Sequence, residues 1–333
     1  MSTYTMSALD EGVHLPSVDK NFSESVYTNG FDAVSHVGGW MRLGNRVHEG
    51  YAEMSVCFYL PDGRIACQFQ RPPIDSHAQF VAGGMEYHVI EPLHDICMRY
   101  IGEIFVLDNP SLLRDPKRLY SEAPKLSCEI EFRLRGVSSI YGGEPTSAEQ
   151  VTMYGRDFSL GHFFQHMRTL GTLRIGSEDW KIDGLGWRDH SWGPRYWTNI
   201  NYYRLFIANF GEDLGITALK ITDKEGTVRR TGVVHVDGRL EDITDIDLIT
   251  DWTEAKDPSA MRLMLRTAKR AMTLEGEVLT LAPLRNRRKV GDAILVSRIA
   301  EGFTEWRWGD RRGLGVSEYI ERLENGQPIG FPQ

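Results

Sequence analysis

The stretch Tyr51-Ala52-Glu53-Met54-Ser55-Val56-Cys57-Phe58-Tyr59 reads as a strand, Pro61-Asp62-Gly63 as a turn, and Ile65 to Phe69 as the returning strand of a hairpin. The same arrangement recurs in Leu214 to Ile221, Asp223-Lys224-Glu225-Gly226 and Val228 to Val236. Working outward, short alternating runs separated by Gly, Asn, Asp and Pro predict further strands at Met85 to Ile90, Ile96 to Val106, Ser127 to Gly136, Thr172 to Ile175, Trp180 to Arg188, Tyr202 to Phe210, Ala293 to Glu301 and Gly315 to Glu324. Pro258 to Val278 carries two patterns. Met261, Met264, Leu265, Ala268 and Met272 would line a helix, whereas Met261, Leu263 and Leu265 alternate; the reading taken is a hairpin turning near Thr267 to Arg270. The fold class expected is all-β, built as sandwiches or barrels are.

A chain of 333 residues exceeds the usual size of one core, so two domains are expected. Gly136 to Arg156 and Asn109 to Pro124 read as irregular excursions, which puts the boundary near residue 160 and gives domains 1–160 and 161–333. The net charge of −8 argues against nucleic-acid binding, because no extended basic face would neutralise phosphates. Arg285, Arg287, Arg288 and Lys289 form one basic cluster, read as a solvated loop. No apolar run reaches the length of a membrane span and Met1 to Gly12 lacks the pattern of a signal peptide; Cys57, Cys67, Cys97 and Cys128 read as buried free thiols. A cytoplasmic location is the expectation from these features, and the oligomeric state is left open.

Chemistry concentrates in Gly186-Trp187-Arg188-Asp189-His190-Ser191-Trp192-Gly193-Pro194-Arg195. As a strand, it sends Trp187, Asp189 and Ser191 to one face and Arg188, His190 and Trp192 to the other, until Gly193-Pro194 ends the run. A carboxylate flanked by aromatics inside a barrel would be desolvated, which makes Asp189 a candidate proton donor. The competing reading is a turn whose carboxylate binds backbone N–H groups while the tryptophans are core.

With His162-Phe163-Phe164-Gln165-His166, Gly171-Thr172-Leu173, Gly184 to Arg195 and Gly313-Leu314-Gly315-Val316-Ser317-Glu318-Tyr319 in this order, the chain resembles the carotenoid 1,2-hydratase (hydroxyneurosporene synthase) superfamily and its bacterial relatives. Gly84 to Leu93 and Tyr100-Ile101-Gly102 resemble the first half of those relatives, and the likeness spans roughly residues 20 to 325 in the order of its landmarks. The resemblance implies two tandem lipocalin-like β-barrels, with Asp189 as the acidic residue.

Hydration of an alkene needs a held acid, a pocket that shields the carbocation and a placed water, and neither metal nor nucleotide cofactor. In this reading Asp189 protonates the alkene, and His190 or His166 orients it or accepts the water proton. Trp187, Trp192, Trp197, Tyr202 and Tyr203 contribute aromatic walls, and Gln165 and Glu318 of the resembling motifs join the substrate-binding set. Dehydration, isomerisation and cyclisation of an apolar isoprenoid-like or aromatic molecule use the same residues. An arginine beside Asp189 would keep it ionised; alternation turns Arg188 away, and Arg195 is unconstrained. A metal enzyme built on His162, His166, His190, Asp189 and Glu318 is the second reading, although His162 and His166 on one strand would stand about 13 Å apart. A lipocalin-like carrier of a hydrophobic ligand is the third. His14, His36, His48, His77 and His235 have no chemical context in the sequence.

Overall fold

The computed structural model describes residues 3–290 and 292–331. The fold is all-β, in two antiparallel sheets. One compact unit comprises Met1–Asp62, Ala66–Val106 and Pro124–Trp197, and the other Gly63–Ile65, Leu107–Ala123 and Thr198–Gln333.

Eight strands of the first sheet form a ring in sequence order: β1 (Phe22–Asp32), β2 (Val37–Arg46), β3 (Tyr51–Tyr59), β4 (Ile65–Gln70), β5 (Asp95–Leu107), β6 (Lys125–Gly136), β7 (Gly161–Ile175) and β8 (Glu178–Pro194). The ring closes because β8 pairs with β1, from Leu185 opposite Phe31 to Pro194 opposite Phe22. Closure removes the exposed edges that an open sheet would present. It also corrects the expected boundary: β7 and β8 are needed to complete the first ring, so the first unit continues to Trp197 instead of ending near residue 160. Val26, Met41, Leu43, Val56, Phe132 and Met167 belong to the apolar filling inside it.

The second sheet is a closed barrel of β9 (Ile200–Gly211), β10 (Leu214–Asp223), β11 (Val228–Val236), β12 (Arg239–Trp252), β13 (Pro258–Thr267), β14 (Ala271–Val290), β15 (Ala293–Trp308) and β16 (Arg311–Glu324), with β9 pairing back onto β16. The two sheets are consistent with tandem lipocalin-like barrels. The ambiguous segment is the β13–β14 hairpin, with Leu263 opposite Leu274. Arg285 and Arg287 lie on the long strand β14 instead of a loop, while the side chains of Arg288 and Lys289 fall outside the described residues. Asn109 to Pro124 is not wholly irregular: Asp115 caps a short helix, Pro116–Glu122, with Pro at its first turn, where the missing N–H costs nothing. The four cysteines are free; Cys97 is half-buried and the others buried. Among the described residues, no helix is long and apolar enough to cross a membrane.

The β7–β8 hairpin positions the site. Its turn is two residues, Gly176-Ser177, with Gly176 at φ +59°, a conformation that glycine adopts without penalty. That turn locks the register from Ile175 opposite Glu178 to Gly161 opposite Trp192. Gly186 has a different reason: a Cβ there would lie 1.9 Å from the Asn29 carbonyl oxygen, and the site is walled by backbone that cannot yield. Gly186→Ala is therefore expected to cost about 1–3 kcal/mol by overpacking, seen as a lowered melting temperature. Gly226→Asn, in an open turn at φ +88° where nothing stands within 4 Å, should lower the transition by less, because its only cost is the left-handed backbone that Asn tolerates better than most residues.

Candidate functional site

From Gly186 to Pro194 both faces of β8 are buried, so alternation divides the motif between two polar systems. Facing pairs in the ladder share a side: His190 stands opposite Val26 and Phe163, and Arg188 opposite Thr28 and Gln165. Val26 belongs to the core inside the ring. Arg188, His190 and Trp192 therefore point inward, and Trp187, Asp189 and Ser191 point to the other face. This corrects the expectation that Asp189 lies inside the barrel; the inward places are held by its neighbours.

On the outward face, Asp189 Oδ2 lies 3.2 Å from His162 Nε2 and 3.3 Å from the Tyr154 hydroxyl, which donates to it. Among the described residues, Oδ1 makes no hydrogen bond, and 11% of the side chain remains accessible. The Tyr154 ring packs on His162 at 4.4 Å between centroids, and Trp187 lies against Phe164 at 5.2 Å. Burial pulls the His162 imidazole below its ordinary range against the opposing pull of Asp189, so it is neutral near pH 7. Arg195 does not pair with Asp189. It donates to Ser191 Oγ at 2.7 Å and lies over Phe158 at 4.4 Å, with Trp197 at 6.0 Å. Burial, reinforced by Arg42, lowers the guanidinium to about 10, with Asp189 acting the other way.

On the inward face, Arg188 donates to both Glu11 oxygens, at 2.7 and 2.8 Å, and to Gln165 Oε1 at 2.9 Å. Arg188 and Glu11 are fully buried, so each is the other's replacement for water. Further along, the buried carboxylate of Glu24 collects three imidazoles: His14 Nδ1 at 2.6 Å, His190 Nε2 at 2.9 Å and His77 Nε2 at 2.8 Å. Burial works to raise the Glu24 carboxyl, but these hydrogen bonds prevail and hold it well below the usual carboxylate range. Burial likewise works to lower His14, and Glu24 and Asp10 more than offset it, so its affinity for a proton is raised. Trp192 stacks on His14 at 3.7 Å. Ligand atoms of His14, Glu24 and His190 lie within 4.8 Å of one another, a grouping able to hold a metal ion.

The expected residues thus separate. Trp187 shares the face of Asp189, and Trp197 packs on Phe158 at 4.7 Å. Trp192 and Gln165 belong to the inward system. The imidazole that hydrogen-bonds Asp189 is that of His162; His190 bonds Glu24, and the His166 backbone N–H donates to Ser138 Oγ. Tyr202 and Glu318 belong to the second unit, where Tyr202 lies under Arg204 at 5.0 Å and Glu318 stands opposite Leu205 and Glu301. The ligand set His162, His166, His190, Asp189 and Glu318 is therefore not assembled as expected. His14 and His77, read as lacking context, lie around Glu24. Tyr154, Glu11 and Glu24 had no local signal. His162 had one, since a two-residue turn at Gly176-Ser177 places it opposite Ser191, diagonal to Asp189.

A sequence profile described as Domain of unknown function (DUF7064) matches residues 7–322. The chain belongs to that family. No curated protein matches it in sequence. Among solved structures, a candidate AttH from Nitrosomonas europaea is similar at 13% identity and a TM-score of 0.59, over 96% of this chain and 98% of that one. CghA with Sch210972 follows at 11% and 0.57, over 93% and 90%. Kievitone hydratase from Nectria haematococca gives 10% and 0.55, over 95% and 93%. At these identities the shared property is the fold.

The buried Arg188–Glu11 pair predicts a strong asymmetry. Arg188→Met should destabilise by about 3–5 kcal/mol by stranding Glu11, and adding Glu11→Leu should recover much of that loss; denaturant titration of the single and double variants checks it. His162 sets a pH dependence. Unfolded, it binds a proton at about pH 6.5, whereas folded it does so only at lower pH. Below that value the unfolded state holds the extra proton, and stability falls as pH drops through the window between the two. Melting temperatures of His162→Gln measured against wild type across this range should show a shallower decline.

Proposed function

We propose that this protein is an enzyme that transfers a proton at Asp189 to or from a small, largely apolar molecule, isoprenoid-like or aromatic. Its reaction in this reading is the addition or removal of water across a carbon–carbon double bond. The observation that carries the reading is the asymmetry of one carboxyl group: Oδ2 is held by His162 and Tyr154, whereas Oδ1 makes no hydrogen bond among the described residues and the side chain remains accessible. Anchoring one oxygen leaves the other to exchange the proton, in an orientation set before substrate arrives.

In the hydration direction the proton leaves Oδ1 for one alkene carbon, forming a C–H bond with the π pair and leaving the adjacent carbon cationic. A water oxygen adds a lone pair to that carbon, and the proton it sheds returns to the Asp189 carboxylate. The balance is alkene plus water to alcohol, with the carboxyl restored; dehydration runs the same steps backwards. Aromatic faces such as those of Trp187 and Phe164 lower the energy of a nearby cation by about 0.5–2 kcal/mol each. Loss of a different proton from the same cation would give isomerisation, and capture by a second double bond would give cyclisation. That one fold relative is named a hydratase supports the class of reaction, not the substrate.

The test is to incubate wild type and Asp189→Asn with a panel of isoprenoid and aromatic alkenes and alcohols in H₂¹⁸O, reading products by mass spectrometry. Wild type should incorporate label, and Asp189→Asn should lower kcat by about 10²–10⁴-fold at an unchanged melting temperature. Retention of a ligand without product would favour a carrier instead, and joint loss of folding and turnover would make Asp189 structural.

A further inference from the structure

The inward cluster around Glu24 has no task in the proton transfer assigned to Asp189, and it contains more imidazole than one carboxylate requires. We propose that it is a binding site for a divalent transition-metal ion of the zinc class, with His14 Nδ1, His190 Nε2 and Glu24 Oε1 as ligands.

The donor set is two imidazole nitrogens and one carboxylate oxygen, mutually within 4.8 Å, which is the three-ligand complement that leaves a position of a zinc ion open. Glu24 and His190 are fully buried, and His14 is partly buried, with 17% of its side chain accessible. The carboxylate oxygen lies 2.6 and 2.9 Å from the two nitrogens. Tetrahedral ligands of one zinc ion stand about 3.3 Å apart, so Glu24 and His14 would separate by roughly 0.7 Å as an ion replaces the hydrogen-bonding protons.

Two of the three ligands, His14 and Glu24, are held by outer hydrogen bonds as metal ligands are, whereas His190 Nδ1 has no partner among the described residues. Asp10 Oδ1 stands 3.3 Å from His14 Nε2, on the side of the ring away from Glu24. Both ring nitrogens of His14 thus face carboxylate oxygens and donate to them; an ion would displace the Nδ1 proton, while Asp10 keeps the one on Nε2. Asp10 is in turn fixed by a capping box, its Oδ2 accepting from the Ser7 backbone N–H at 2.6 Å. The outer oxygen of Glu24 is held by His77. The Asn45 side-chain N–H₂ donates to the Gln79 carbonyl at 3.1 Å, which fixes the amide orientation, and its second proton faces His77 Nδ1 at 3.3 Å. His77 must then carry its proton on Nε2 and donate it to Glu24 Oε2 at 2.8 Å. His77 is thus a positioning residue, and the ligands number three.

The site binds the segment before β1 to strand β8, because His14 comes from that segment and His190 from β8. Occupancy should therefore stabilise the folded chain and protect its N-terminal segment. None of this depends on the role of Asp189, which points to the opposite face; the labelled-water experiment can fail while this site stands.

The test uses the full chain stripped of metal by chelator and dialysed, then titrated with Zn²⁺ by calorimetry and with Co²⁺ by visible absorption, with melting temperature and N-terminal proteolysis followed in parallel. The expected result is one equivalent of tight binding, d–d bands of a low-coordinate Co²⁺ ion, a raised melting temperature and slower cleavage before β1. His190→Gln and Glu24→Gln should abolish the stoichiometric event, and His77→Gln should weaken it by about 10–100-fold. His14→Gln, at the most accessible end of the cluster, is the variant expected to fold if the buried ones do not, and it should also abolish binding. No uptake by wild type, or uptake unchanged in folded His14→Gln, would overturn the proposal and leave the cluster as a hydrogen-bonded proton store.

Discussion

Alternation along β8 obliges neighbouring residues to look in opposite directions, and from Gly186 to Pro194 both directions are buried. Much of the first unit's polar chemistry follows from that constraint. Arg188 and His190 are sent into the ring and Asp189 is sent out, within three consecutive residues. A register slip of one residue would exchange the two sets and leave an arginine and a carboxylate each without its partners. The register is secured by the turn at Gly176-Ser177, by the close approach of Gly186 to Asn29, and by the ladder that closes β8 onto β1.

Charged groups survive inside the ring because each has a partner from a distant part of the chain. Glu11 reaches Arg188 across 177 positions of sequence, and Glu24 reaches His190 across 166. The short N-terminal segment therefore behaves as an inward strap: its turn Ala8–Glu11 delivers Glu11, and His14 follows at the next polar cluster. A buried arginine without Glu11 would lack compensation for several kcal/mol of lost hydration. The strap is thus bound to the barrel by buried ion pairs, with Val13 and Met6 packed against its apolar clusters.

Sequence reading reaches the parts of this architecture that are local. The hairpins at Tyr51–Tyr59 and at Leu214–Asp223 carry their own turn residues, and the β13–β14 turn was legible because Leu263 and Leu265 alternate. The alternation in Trp187 to Trp192 was legible too. Which face is inward was not, because the usual clue, a polar face in water, is missing when both faces are buried. The domain boundary failed for a related reason: a loop rich in Gly, Ser and Pro before residue 160 looks like a linker, whereas ring closure is a long-range fact carried by β8 and β1. Glu11, His14, Glu24 and Tyr154 are isolated polar residues in sequence, and only tertiary structure gives them company.

The same geometry explains how Asp189 is held without being tied up. Its two chain neighbours are anchored on the opposite face, Arg188 by Glu11 and Gln165 and His190 by Glu24, so the backbone between them has little freedom. On its own face, His162 comes from β7 through the locked hairpin register, while Tyr154 comes from a segment outside the strands. The carboxyl group is thus held by partners from two different parts of the chain. In the proposed proton transfer, the strand would fix the direction of the carboxyl group, and the two donors would hold Oδ2 as the proton moved at Oδ1. Adjacent inward and outward residues are therefore coupled through the strand: buried ion pairing on one side supplies the rigidity that the proposed proton transfer would need on the other.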